Sequence, residues 1–232
     1  MSVLLSTAYF PPVQYFAAMA KDFTLSPDRV NPSIAYMEAC ENYQKQSYRN
    51  RCVIYSQSGP EALVIPVVHE GGTHRIPIRE IRIDYRNGWV MRHQRAIYSA
   101  YGTSAFFEYY KDGLFSIMDG RPEYLFDLNL SVIRFFIENT GLAVDIKMTD
   151  RYLPPQEAEG VYGNDLREVI HPKRQDRLMS TMGLEKPYFQ VFSGRYGFIP
   201  GLSIMDLLFN EGPNSITFLK TLTAPAFRTG TR

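Results

Sequence analysis

The sequence predicts an α+β fold, with mixed α/β as its variant: a β-rich first third, a helical middle, and a C-terminal strand or hairpin followed by two helices. Three observations carry this. Residues 34–39, 51–57, 62–70 and 76–84 alternate or run in β-prone apolar residues between turn signals. From Trp89 onward the apolar period lengthens to that of a helix. Over 123–139, Leu125, Leu128, Val132, Phe135 and Phe136 fall on one stripe, and Gly141 stands just past the end as a stop.

Taken in order, residues 2–10 read as a buried first strand, ended by Pro11-Pro12. Val13, Phe16, Ala17 and Ala20 then repeat at helical spacing, which predicts a short helix over 13–21. A strand that runs directly into a helix is a favoured ligand position in α/β folds, and Tyr9, Gln14 and Tyr15 flank that junction. Residues 23–33 read as a loop. Strand 34–39 sends Tyr36 and Glu38 to one face and Met37 and Ala39 to the other. A hairpin joins 51–57 to 62–70 around Ser58-Gly59-Pro60, and 76–84 forms a further strand. Helices are predicted over 89–101, 105–118 and 123–139, followed by a strand over 143–149. The long segment 150–187 is rich in charge, Pro and Gly and carries one short strand at 166–170, a length usually reserved for functional loops. Residues 188–199 read as a strand or hairpin, and 203–210 and 213–222 as closing helices. Ser203 and Asp206 fit the S-x-x-D capping box. The expected organisation is one domain over 1–222 with a frayed tail over 223–232.

Composition narrows the function classes. Apolar residues make up 45%, enough for a sizeable core. The net charge is +1, and no Lys/Arg run exceeds two residues, which argues against a nucleic-acid face. No stretch approaches the ~20 apolar residues of a membrane span. The start lacks a signal-peptide pattern and the two cysteines make no disulfide framework, so a cytoplasmic protein is expected.

The densest chemistry lies in 36–52, YMEACENYQKQSYRNRC, where amides, carboxylates, guanidinium groups and phenols are interleaved. Such a mixture suits directional hydrogen bonding to a small polar ligand. Glu38, Gln44, Arg49 and Asn50 are its candidate ligand contacts, joined by Tyr9 and Gln14 from the first junction. Arg49 and Arg51, read as alternating strand residues, would share a face and clamp an anion; the alternative for them is a salt bridge to Glu38 or Glu41. His93 sits on the apolar face of its helix with Trp89 and Ile97, as either a proton carrier or a hydrogen-bonded core residue. Asn129 on the next apolar stripe is either a ligand contact or a tie between helix and sheet. Cys40 reads as a buried thiol rather than a nucleophile, since nothing nearby would ionise it. His69 and His74 flank Gly71-Gly72 without a third ligand at metal spacing, so no metal is predicted. No cofactor motif and no oligomeric state can be read from the chain.

The residues STAYFPPVQYF near the start, ENYQKQSYRNRC with its following hairpin, Trp89-x-x-x-His93 with Tyr101, and QVFSGRYGFIPGLSIMDLLFNEGP near the end resemble the WbqC-like proteins, in the form found in Bacteroidetes. Broader members open with His-Gln-Pro; Ser6-Thr7-Ala8 stands there in this chain, so no role of that histidine carries over. The resemblance implies a setting in surface-polysaccharide (O-antigen) synthesis. It also implies a transferase-like enzyme on a sugar or sugar-linked intermediate, with aminoacyl or acyl transfer as the most specific form. Two alternatives stand beside it: a non-catalytic module for a small polar or glycan-derived ligand, and a scaffold in a biosynthetic complex.

Overall fold

The computed structural model describes residues 2–20, 33–68, 75–173 and 186–221. Four short strands, β1 (Val3–Ser6), β2 (Ser33–Glu38), β5 (Val144–Met148) and β6 (Asn164–Asp165), form one sheet in the order β5-β2-β1-β6, every neighbouring pair parallel. Strands β3 (Arg51–Ser56) and β4 (Gly59–Val64) make a separate antiparallel hairpin. Strands thus dominate the N-terminal part, and helices the middle and C-terminus, giving the α+β class.

Alternation sorts the faces of the parallel sheet. Val3, Leu5, Ala35 and Met37 point into the main core, while Leu4 and Tyr36 meet Leu153, Ala158 and Tyr162 on the other side. That second face is covered by α5 (Pro155–Tyr162), so the sheet is apolar on both sides, as parallel sheets require. Helix α1 (Val13–Ala20) is buried along its whole length. It lies between β1 and β2 on one side and α7 (Ile204–Glu211) and α8 (Ser215–Thr221) on the other. Three longer helices, α2 (Trp89–Tyr101), α3 (Phe107–Asp119) and α4 (Leu125–Thr140), build the rest of the core. Gly141 ends α4 at φ +72°, a left-handed cap that a side chain would strain.

Three predicted strands take other forms. Residues 76–84 make a 3-10 turn, Ile78–Glu80, flanked by single bridges. Pro77 has no N–H for a ladder, and its carbonyl instead accepts from Glu80 N at 2.9 Å. The strand expected at 166–170 lies just before, at β6, and Leu166 O accepts from Ile170 N at 3.1 Å to turn the chain away. Residues 188–199 contain only the short helix α6 (Ser193–Tyr196); Gly197 at φ +74° breaks any extended run. Of the loop expected over 23–33, Ser33 opens β2; the rest of it, the histidines at 69 and 74, and the tail over 223–232 lie outside the described residues.

Ser203 caps α7, its Oγ accepting from Met205 N at 3.3 Å. The reciprocal half of the predicted box is absent: Ser203 N donates to Val53 O, and Asp206 turns inward to accept from Tyr188 OH (2.7 Å) and Gln190 Nε2 (2.8 Å). Ser203→Ala should therefore cost about 1 kcal/mol in chemical denaturation, the value of a single cap bond.

Candidate functional site

A parallel sheet gathers its carboxyl ends at one edge, and in open α/β sheets ligands bind in the crevice outside that edge. Here the edge is polar and buried. Glu38, the last residue of β2, is fully enclosed: its Oε1 accepts from Thr149 Oγ1 (2.7 Å) and Cys40 N (2.9 Å), and its Oε2 from Arg167 Nη1 (2.5 Å). Arg167 also donates to Asp165 at the end of β6 and to Leu153 O, and stacks under the Tyr152 ring, 4.9 Å from its centroid. One guanidinium thus joins the ends of β2 and β6 to the loop after β5. Burial opposes its charge, but Asp165 and Glu38 outweigh that and raise its pKa.

Beside it stands a second ion pair. Arg49 makes a two-pronged contact with Glu41, through Nε to Oε1 at 2.9 Å and through Nη2 to Oε2. It also donates to Ser6 Oγ at the end of β1 (2.8 Å) and to Gln44 Oε1 (3.3 Å). Burial pushes the Glu41 carboxyl up, and Arg49 pulls it back.

Above these pairs opens a cleft of about 450 Å³. It is lined by Cys40, Glu41, Tyr43 and Gln44 from the segment after β2, by Tyr152 and Pro155 after β5, by Arg167 and Glu168 after β6, and by Arg75. Gln44 Nε2 spans to Glu168 Oε1 at 3.0 Å. Cys40, expected buried, is partly exposed on this lining, and its thiol points to Thr149 O at 3.6 Å.

A sequence model of the WbqC-like protein family matches residues 7–218. The chain belongs to that family. The WbqC-like family is associated with polysaccharide and O-antigen biosynthesis. Among curated proteins, the chain is similar to "Uncharacterized protein Rv1507c" of Mycobacterium tuberculosis (strain ATCC 25618 / H37Rv), 27% identical over 199 residues, covering 77% of this chain and 84% of that protein. No solved structure matches.

In this WbqC-like chain the predicted site residues divide. Gln44 lines the cleft, and Glu38 and Arg49 belong to the ion pairs beneath it. Arg49 precedes β3 in a turn rather than sharing a strand face with Arg51, and its guanidinium is taken by Glu41. The other five do not line the cleft. Tyr9 is fully buried: its N–H donates to Tyr48 O, and its hydroxyl meets His93 Nδ1 at 2.9 Å. Gln14 is buried on α1. Asn50 Nδ2 donates to Ile65 O, and Asn129 Nδ2 to Arg49 O at 2.7 Å, tying α4 to the chain just before β3.

His93 packs edge-on against Trp89, and its ring also bonds the Val64 backbone, so the Tyr9 hydroxyl donates to Nδ1. Burial, aided by Arg92, lowers its pKa to about 4. The imidazole should therefore stay neutral between about pH 5 and 8 in an NMR titration. His93→Gln should cost ~1–3 kcal/mol through the lost hydrogen bonds. The pH dependence has a definite sign. A histidine held neutral in the fold but free to protonate when unfolded contributes stability above about pH 6.5, lost as pH falls toward 4. The gap in unfolding free energy between wild type and His93→Gln should narrow over that window.

Arg167, Asp165, Glu41, Ser6 and Tyr152 were not among the predicted contacts. Glu41 appeared only as a salt-bridge partner for Arg49. Asp165 and Arg167 lie in the long charged segment 150–187, whose length marked it as functional without singling out a side chain.

Among the described residues no helix is long and apolar enough to cross a membrane.

Proposed function

We propose that this protein binds a sugar-linked intermediate of surface-polysaccharide synthesis in the carboxyl-edge cleft and acts on it as a transferase. The observation that carries this reading is the position of the cleft, outside the carboxyl ends of four parallel strands and beside the point where β6 joins β1 on the side opposite β2. Its lining suits the ligand class: Tyr43 and Tyr152 bring aromatic side chains to the cleft, and Glu41, Gln44 and Glu168 bring directional polar groups. Glu38, Arg49 and Arg167 hold that lining in place, and Glu41, raised by burial, is the group in the cleft suited to move a proton. His93, enclosed by Tyr9, Trp89 and Val64, serves as a core tie in this reading.

A non-catalytic binding module is the second reading, favoured by one feature: the carboxylates and guanidinium groups below the cleft are already paired with one another. Native mass spectrometry of freshly purified protein tests the shared claim. A bound sugar-linked mass should accompany the wild type and His93→Gln and be lost from Tyr152→Ala. Its retention by Tyr152→Ala and loss from His93→Gln would remove the cleft as the site. Turnover of the identified ligand, abolished in Glu41→Gln, separates the transferase from the module.

A further inference from the structure

Resting on the cleft as the binding site, the groups left unbonded there point further. Its acceptors are committed: both Glu41 oxygens receive hydrogen bonds, from Arg49 and Ser6, and Gln44 gives its oxygen to Arg49 and its amide nitrogen to Glu168. Arg167 is spent on Glu38, Asp165 and Leu153 O. The donors around Tyr43 are not. Among the described residues, the Arg75 guanidinium, the Asn42 amide and the Tyr43 hydroxyl have no hydrogen-bond or carboxylate partner, and all three residues line the cleft. They are held together by the backbone: Ile76 O, next to Arg75, accepts from Tyr43 N at 2.9 Å, and Asn42 bridges Pro77. Tyr43 is itself fixed by burial, at 7% exposure. Burial raises its pKa while the charges of Arg51 and Arg49 lower it, and the buried Nε of Arg51 also lacks a partner among the described residues. Guanidinium charge on this flank is therefore only partly answered by carboxylate.

An unspent guanidinium fork matches the two oxygens of a carboxylate or phosphate, and an amide and a phenol beside it supply further donors. A neutral sugar would leave that fork unused. We infer that the cleft takes a sugar unit bearing an oxyanion, a carboxylate or a phosphate, clamped by Arg75 with Asn42 and Tyr43 donating beside it. Arg51 adds attraction from behind Tyr43 without touching the ligand.

Saturation-transfer NMR at neutral pH and low salt tests this with glucose, glucuronate and glucose 1-phosphate. At least one charged sugar should bind roughly tenfold more tightly than glucose, the margin of a charge-assisted hydrogen bond. Arg75→Gln, on an exposed side chain, should bring that sugar down to the level of glucose while glucose binding and the melting temperature hold. The sugar that loses more to Arg75→Gln identifies the oxyanion as carboxylate or phosphate. Equal binding of all three sugars, lost together in Tyr152→Ala, would overturn the oxyanion while the cleft remains the site. A preference for a charged sugar that survives Arg75→Gln would overturn the clamp, and its survival in Tyr152→Ala as well would remove the cleft. Absence of binding by all three probes would overturn the inference and count against the cleft itself.

Discussion

Arg167→Ala should lower the unfolding free energy by about 3–5 kcal/mol, the usual cost of stripping one partner from a buried ion pair. Among the described residues, Arg167 is the one side-chain cation bonded to Glu38, which is fully buried at the end of β2. Without it the Glu38 carboxylate would keep, among the described residues, Thr149 Oγ1 and the Cys40 N–H, and Asp165 would lose its guanidinium partner while keeping the backbone N–H of residue 167. Adding Glu38→Gln to the variant should recover part of the loss, because the buried charge is then gone. Urea denaturation of the four members of the double-mutant cycle measures this. A loss below about 1 kcal/mol for Arg167→Ala would mean that water, rather than the guanidinium, solvates the edge of the sheet.

Arg49→Met should cost a similar amount, about 3–5 kcal/mol, and with a recognisable pH signature. The Glu41 carboxyl is raised by burial and restrained chiefly by Arg49, so removing the guanidinium pushes its pKa higher still. A carboxyl raised in the fold above its unfolded value binds its proton more tightly when folded. Its stability contribution is then greatest in acid and is lost as pH rises through the folded pKa. The deficit of Arg49→Met relative to wild type should accordingly be smallest in acid and grow toward neutrality. A deficit that shrinks with rising pH would contradict the assignment of Glu41 as the group left behind.

The elements read most accurately from sequence were those whose pattern is local. The Trp89–Tyr101 helix, the α4 stripe with its Gly141 stop, and the alternation that sends Tyr36 and Met37 to opposite faces depend only on neighbours in the chain. Strand order does not. Nothing in residues 3–6 announces that they pair with 164–165 on one side and 35–38 on the other, and that pairing creates the edge on which the cleft opens. The same separation hid Arg167, whose acidic partner Glu38 lies 129 positions away. The polar richness of 36–52 did mark one wall, through Cys40 to Gln44. It also drew in Asn50, whose amide serves the backbone of Ile65. Tyr9, Asn129 and His93 carry the same lesson: a polar group on an apolar stripe has one appearance in sequence, whether it faces a ligand or closes a core hydrogen bond.

Amide chemical-shift mapping on labelled protein tests the location of the site most directly, using glucosamine and UDP-N-acetylglucosamine in turn. Whichever binds should perturb residues 40–44, Tyr152 and residues 167–168, which line the cleft, and leave Trp89 and His93 in place. Perturbations centred on Tyr9, Trp89 and His93, with residues 40–44 silent, would contradict the account.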